Sequence, residues 1–473
     1  MSTMMSFQPA TFEEMQDRIF KLETDIEWLS RRDQLTGMFN RVAFLAEVDN
    51  HLLNQSGANH GGAMIEIVVR GMPRISGTLG RHVADYVISS LAARLNRMPL
   101  PANTTARIDH NHYAILLHDI NEPLEALTLA KEILSTLSQS VDWLDRHLNV
   151  ELAAGVALAT DNEGDGANFL HNAELALKSA TNRGGPAYAF FNPALAHGAK
   201  RRNDILLALQ SCIEKNQLSL NYQPVFNSNT RQLAGFEALL RFDMPELGSI
   251  SPGEFIPVAE EAGLIDRIGT WALAEACNAA STWPDHLTLA VNISPEQFYS
   301  GSLVTVVHNA LEMASFPAYR LELEITEGVF LKDSDAVLSQ LSTLREMGCS
   351  IALDDFGIGY SSLSYLWKFP FSKLKIDRAF VSALDLTVVA KGVLQSIIGL
   401  AENLGLKVTA EGIETEAQAK ALTDLGAHYL QGFHLGYPTK VVDLPGLMIK
   451  TARGRFPEAA NSDQAKFTAQ FAG

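Results

Sequence analysis

The sequence predicts an α/β protein built from two differently wound units behind a leading helix. Three observations carry this. Residues 11–32 show a helical apolar seam. From 33 to 192, strand-like and helix-like runs mix in the manner of a sandwich with a mostly antiparallel sheet. From about 203, short apolar strands recur at intervals of tens of residues with helical patterns between them, which predicts a parallel sheet, and their number predicts closure into a barrel.

In chain order, TFEEMQDRIFKLETDIEWLSRR (11–32) places Phe12, Met15, Ile19, Leu22, Ile26 and Leu29 at alternating steps of three and four. That is a coiled-coil seam with charged residues off it, and Thr11 followed by Glu14 is a capping-box signature. We expect a coiled-coil dimer helix over 1–32. In the unit spanning 33–192, MIEIVV (64–69), TARIDHNHYAILL (105–117) and LNVELAAGVALA (148–159) read as strands. Residues 83–95, 123–141 and 172–185 read as helices. Gly and Pro punctuation in 183–202 marks the junction. The barrel unit is expected over 193–450, with a small, polar, loosely held tail over 451–473.

The 473 residues carry a formal net charge of −17, and 47% are hydrophobic. So acidic a chain repels nucleic acid and anionic membranes at long range, which argues against both as partners. Cys212, Cys277 and Cys349 are scattered, without a CxxC, as expected of reduced thiols. No apolar run approaches the ~20 residues that span a bilayer, and the amino terminus does not read as a signal peptide. The expected location is cytoplasmic.

The chemistry is concentrated where the barrel strands stop. LAGFEALLR carries Glu237 and Arg241, AVNIS carries Asn292, and LELEITE carries Glu324 and Glu327. IALDD ends in Asp354 and Asp355, KLKID carries Lys375 and Asp377, TAEGIE carries Glu411 and Glu414, and YLQG carries Gln431. Polar side chains at the carboxyl ends of successive strands are the layout of a barrel active site. Carboxylates with an amide oxygen suit Mg²⁺ or Mn²⁺. Adjacent Asp354 and Asp355 repel each other unless cations meet them, and a bridging carboxylate with its neighbour suits two metals clamping a phosphodiester. Lys375 and Arg241 add positive charge for phosphate.

These residues resemble the EAL family of cyclic-di-GMP phosphodiesterases from about Tyr222 to Pro438, through YQPV, GFEALLRF, EFIPVAEEAGLI, VNISPEQF, LELEITE, ALDDFGIGYSSL, LKIDRAFV, AEGIET and QGFHLGYP. The resemblance implies a modified TIM (β/α)8 barrel with one antiparallel strand. It implies one metal on Glu237, Asn292, Glu324 and Asp354, and a second on Asp354, Asp355 and Glu411. Lys375 would orient the hydrolytic water, Glu327 would anchor the DDFG loop, and Gln431 would complete the active set. Gln223, Leu239, Leu240, Arg241 and Asp377 would face the dinucleotide. The implied reaction is hydrolysis of cyclic-di-GMP to linear pGpG with two Mg²⁺ or Mn²⁺ per site; the alternative is a non-catalytic cyclic-di-GMP receptor. A homodimer through this unit and the leading helix, and a separate sensor protein, are the implied partners. Two departures stand out. Ile358 replaces the usual Thr of the loop, and Phe242-Asp243-Met244-Pro245 replaces W-x-H-P.

The preceding unit resembles the GGDEF, or diguanylate cyclase, family through its opening motif RDQLTGMFNR (32–41). Its signature loop falls at Asp109-His110-Asn111-His112-Tyr113, without the two glycines and the metal-binding acid. Val68 and Arg70 stand where upstream metal aspartates belong, Ser76 and Gly77 at nucleotide-contacting positions, and Leu100 to Asn103 lacks the inhibitory RxxD. We expect a degenerate, regulatory or dimerising module. His110 and His112 are expected on one strand face as surface or partner contacts, with no carboxylate set nearby.

Overall fold

The computed structural model describes residues 28–54, 61–120, 122–144, 146–162, 165–182, 187–331, 334–357, 363–385 and 388–451. The heptad seam over 11–26, Ile358 and the tail beyond Thr451 lie outside these residues. The chain divides into two compact units, Met1–Arg201 and Arg202–Gly473.

Among the described residues, the first unit is built on a five-stranded sheet, with a separate two-stranded ribbon over 141–148. The sheet's strands are β1 (Gly62–Arg70), β2 (Asn103–Asp109), β3 (His112–His118), β4 (Glu151–Leu158) and β5 (Tyr188–Phe190), in the order β2-β3-β1-β4-β5. All neighbours are antiparallel except β4 with β5, as the mixed pattern predicted. β1 is almost wholly buried because both its faces are covered. Ile65, Ile67 and Val69 pack with the helices Arg81–Arg97 and Pro123–Leu137. Met64 packs on the opposite face with Phe44, Val48 and Phe169. There the helix Gly166–Asn182 lies so close that a Cβ on Gly155 would sit 2.0 Å from the Ala173 carbonyl oxygen; only glycine permits that approach.

One expectation is corrected. Residues 105–117 are not one strand but the hairpin β2–β3, and His110 lies in the turn. The Asp109 carboxylate accepts the His110 amide at 2.7 Å, so this aspartate ends the strand locally.

The second unit is a closed eight-stranded barrel. Its strands are β6 (Leu218–Asn227), β7 (Leu233–Met244), β8 (Thr288–Asn292), β9 (Leu321–Thr326), β10 (Ser350–Phe356), β11 (Lys373–Ile376), β12 (Lys407–Ala410) and β13 (Tyr429–Leu430). β7 through β13 run parallel in sequence order. β6 closes the ring antiparallel to both β7 and β13, the single reversed strand the resemblance implied. Period-two alternation sorts the side chains. Leu321, Leu323 and Ile325 of β9 and Ile351 and Leu353 of β10 join the shell of helices around the barrel. Glu322, Glu324, Lys373 and Lys375 line the interior. Among the described residues, no helix is long and apolar enough to cross a membrane.

Candidate active site

Lys375 is the centre of the site. Its side chain is 2% exposed, and its Nζ lies 2.7 Å from Glu324, 2.6 Å from Glu411, 3.2 Å from Asp354 and 3.6 Å from Glu237. Register explains the convergence. Asn292 pairs with Glu324, Glu324 with Ala352, and Thr326 with Asp354. Glu411 follows β12, with its amide donating to the Ile376 carbonyl at 3.1 Å. Glu237 does not end its strand as the sequence suggested; β7 continues to Met244, paired with β6, and carries Arg241 beyond the cage. Glu237 is held by two amides: Asn292 Nδ2 donates to it at 2.6 Å, and so does Gln431 Nε2. Gln431 also donates to Gln223 Oε1 at 3.2 Å.

Four carboxylates around one ammonium leave negative charge in excess, and protonation responds. Burial would lower Lys375, but Asp354, Glu237, Glu324 and Glu411 outweigh it and hold it well above its ordinary value. Burial and then the Glu237 charge push Glu324 well up. Burial likewise pushes Glu411 up to about 8. Burial opposes the ionised form of Glu237 too, but Lys375 and the Gln431 amide outweigh it and keep the group low.

The two adjacent aspartates part company at a register shift between Leu353 and Phe356. Asp354 is buried in the cage, whereas Asp355 is exposed, at φ 52°, with its amide donating to Asp354 Oδ1 at 2.9 Å. A non-glycine residue in the left-handed region stores strain of about 1 kcal/mol, of a kind found at functional sites. Partial desolvation of its carboxyl group, and then the Asp354 charge, raise Asp355 although the residue as a whole is exposed. Glu327, at the end of β9, accepts the Gly357 amide at 3.3 Å.

Among the described residues no three carboxylate or imidazole side chains already converge on a common metal position; four converge on the ammonium instead. The donor set nevertheless fits divalent metal. It is all oxygen, and it exceeds the available positive charge, since four buried or nearly buried carboxylates meet a single ammonium.

An EAL domain model matches residues 206–438, and a diguanylate cyclase GGDEF domain model matches residues 30–186. The Pseudomonas aeruginosa protein MucR, described as a bifunctional diguanylate cyclase/cyclic di-GMP phosphodiesterase, is 35% identical over 87% of this chain and 60% of its own length. An uncharacterized Mycobacterium bovis protein is 32% identical over 90% of this chain and 69% of its own. The chain belongs to the tandem GGDEF–EAL family. It spans less than two-thirds of MucR's length. The EAL enzyme Bd1971, solved with cAMP and cyclic-di-GMP bound, is 30% identical, with a TM-score of 0.51 over 64% of this chain and 82% of that one.

Beside the cage, on the side of the strands' carboxyl ends, two cavities are found among the described residues of the EAL unit. One, of about 230 Å³, is lined by Gln223, Leu239, Asp377 and Gln431 together with Arg378, Glu414 and Phe433. Asp377 also caps the helix Arg378–Ser382, accepting the Ala379 amide at 2.7 Å. The other, of about 290 Å³ and largely apolar, is lined by Leu240 and Arg241 with Asn292, Pro252 and Glu260. The expected substrate-facing residues thus divide between two chambers, and Leu239 touches both. Sequence reasoning missed Phe433, which stacks on Tyr437 with centroids 4.8 Å apart. Its signal was the aromatic pair inside QGFHLGYP.

In the GGDEF unit, Val68 of β1 pairs with His112 of β3. His110 and His112 do not share a strand face, which corrects that expectation; among the described residues no set of metal-ligating side chains gathers there, though one carboxylate, Glu66, lies beside His112. His110 is 87% exposed in the turn, whereas His112 Nδ1 lies 2.7 Å from Oε1 of buried Glu66. That hydrogen bond raises His112 above its ordinary value against the effect of burial. The opening motif is tied to the same hairpin. Arg107 bonds Asp33 at 3.0 Å and donates to the His110 carbonyl at 2.8 Å. Burial would raise Asp33, but hydrogen bonds from Thr36 and the Arg107 charge hold it low.

Proposed function

We propose that the EAL unit hydrolyses cyclic-di-GMP to linear pGpG, and that the GGDEF unit serves as a non-catalytic regulatory module. The observation that carries this reading is the convergence of Glu237, Glu324, Asp354 and Glu411 on Lys375 at one mouth of the barrel, beside two chambers able to divide a dinucleotide. Glu237, Asn292, Glu324, Asp354, Asp355 and Glu411 would hold two Mg²⁺ or Mn²⁺ ions. When bound, these ions supply Lewis-acid activation of water and neutralise charge on the phosphate.

The chain's own residues do the rest. Lys375 Nζ donates to the attacking water and orients it. One water is consumed: its oxygen forms a bond to phosphorus, the P–O3′ bond breaks, and the 3′-oxygen leaves with a proton. Gln431 and Asn292 fix the Glu237 carboxylate through their amides. Glu327 holds the turn after Asp355 through the Gly357 amide. Gln223, Leu239 and Asp377 would face one half of the substrate, and Leu240 and Arg241 the other. In the GGDEF unit, Val68, Arg70 and Asn111 supply no acidic metal ligand, so its role is to be regulatory.

The test is incubation of the purified chain with cyclic-di-GMP and Mg²⁺ or Mn²⁺, followed by chromatography, alongside Glu237→Ala. Linear pGpG formed by the native chain and absent with the variant is expected. Tight binding without product would overturn hydrolysis and leave a receptor.

A further inference from the structure

The interior of a parallel barrel is ordinarily packed with branched apolar side chains in layers. Below the acid cage, this one is not. A cavity of about 360 Å³ runs from the amino-terminal ends of the strands up to Lys375 and Glu324. Its mouth is ringed by exposed His286, Tyr319 and Lys407. Its wall carries an ion pair, Lys373 with Glu322 at 2.6 Å, in which both side chains are nearly buried. Lys407 Nζ bonds the Tyr429 hydroxyl at 3.3 Å.

A dry lumen would be a costly place for these groups, because the desolvation of a buried ion pair offsets much of its attraction. Two further polar atoms point the same way. Thr409 Oγ1 and Gln431 Oε1 are buried, belong to residues lining this cavity, and have no hydrogen-bond partner in the protein. Buried polar atoms without protein partners are ordinarily met by ordered water. The volume holds roughly ten waters at ~30 Å³ each.

We propose that the lumen of the EAL barrel is a water-filled conduit, open at the amino-terminal face, that renews solvent at the underside of the acid cage while ligand covers the opposite mouth. Its catalytic use rests on the hydrolysis proposed above, in which each turnover consumes one water. The lumen lies on the face opposite the two substrate-side chambers, so ligand seated there does not close it.

A high-resolution crystal structure of the full chain is the direct test. A file of ordered waters from Lys407 to Lys375, touching Thr409 Oγ1 and Glu322, is expected; an empty or collapsed lumen would overturn the proposal. Ala234→Phe, or Ser350→Leu should the first variant not fold, plugs the lumen from below. We expect an about tenfold fall in kcat with KM and cyclic-di-GMP affinity unchanged. An unchanged kcat in a folded variant whose structure shows the plug in place would overturn the conduit. If the native chain makes no linear product, the hydrolysis proposal fails, while the crystallographic waters still uphold or overturn a hydrated lumen.

Discussion

The acid cage of the EAL unit and the hairpin of the GGDEF unit both bury a carboxylate beside a cationic or protonatable side chain, yet they balance charge differently. In the cage, Glu237, Glu324, Asp354 and Glu411 share one ammonium. In the hairpin, Glu66 pairs with His112 through Oε1, and among the described residues its Oε2 is buried without a hydrogen bond. One buried carboxylate met by one protonated imidazole is balanced in charge. Several carboxylates met by one lysine are not balanced, and burial together with the neighbouring carboxylate charges raises Glu324 and Glu411. Unbalanced buried charge, more than the presence of acids, distinguishes a site built for cations from a structural pair.

The largest expected effect that tests this difference is on activity. Glu237→Ala should lower cyclic-di-GMP turnover on the order of 10³-fold or more, since it removes a proposed metal ligand and the acceptor of two amides. Glu66→Gln in the GGDEF unit should change turnover less than about twofold, because a structural pair there leaves the barrel's chemistry untouched. Equal losses in the two variants, read by chromatography, would break the comparison.

The next effects are on stability. Lys375→Met leaves the four carboxylates without their cation and should destabilise the metal-free EAL unit by about 3 kcal/mol or more in urea unfolding. A stable variant would mean the cage is already neutralised by protons. Mg²⁺ or Mn²⁺ at about 100 times its dissociation constant should stabilise the EAL unit by about 2.7 kcal/mol. A chelator should reverse this, and the GGDEF transition should not move in calorimetry. A shift in both transitions would place a metal in the hairpin as well.

The smallest effect concerns His112. Its folded value is raised above the ordinary 6.5, principally by the Glu66 hydrogen bond. The pair therefore contributes its full stability below about pH 6.5 and loses it as pH rises through the raised folded value. The contribution should be on the order of 1 kcal/mol. His112→Gln should flatten that part of the pH–stability curve; an unchanged curve would show that Glu66 does not hold the proton-bearing imidazole.

Much of this was legible along the chain. Alternation in LELEITE and KLKID placed Glu322, Glu324, Lys373 and Lys375 on one face of their strands, because strand periodicity is local and the outward Leu and Ile positions are unambiguous. The strand count announced the barrel. Less legible were the ends of elements. The Asp109 turn was hidden inside an apolar run that reads as one strand, and β7 continued past Glu237 because its antiparallel partner β6 extends it. Glu66 gave no sign in sequence, since its partner is 46 positions away.

By itself, then, the sequence determined which chemistry-bearing residues leave which strands, and the family to which the chain belongs. Side-chain type and period-two alternation are written in short stretches, so no tertiary contact is needed to read them. Only the tertiary structure decided that four of the acids meet at Lys375, that a register shift separates Asp354 from Asp355, that His112 closes on Glu66, and that the barrel's lower interior is polar and open. Each of these depends on closure and register between strands far apart in the chain, and register is set by the sum of contacts around the whole ring.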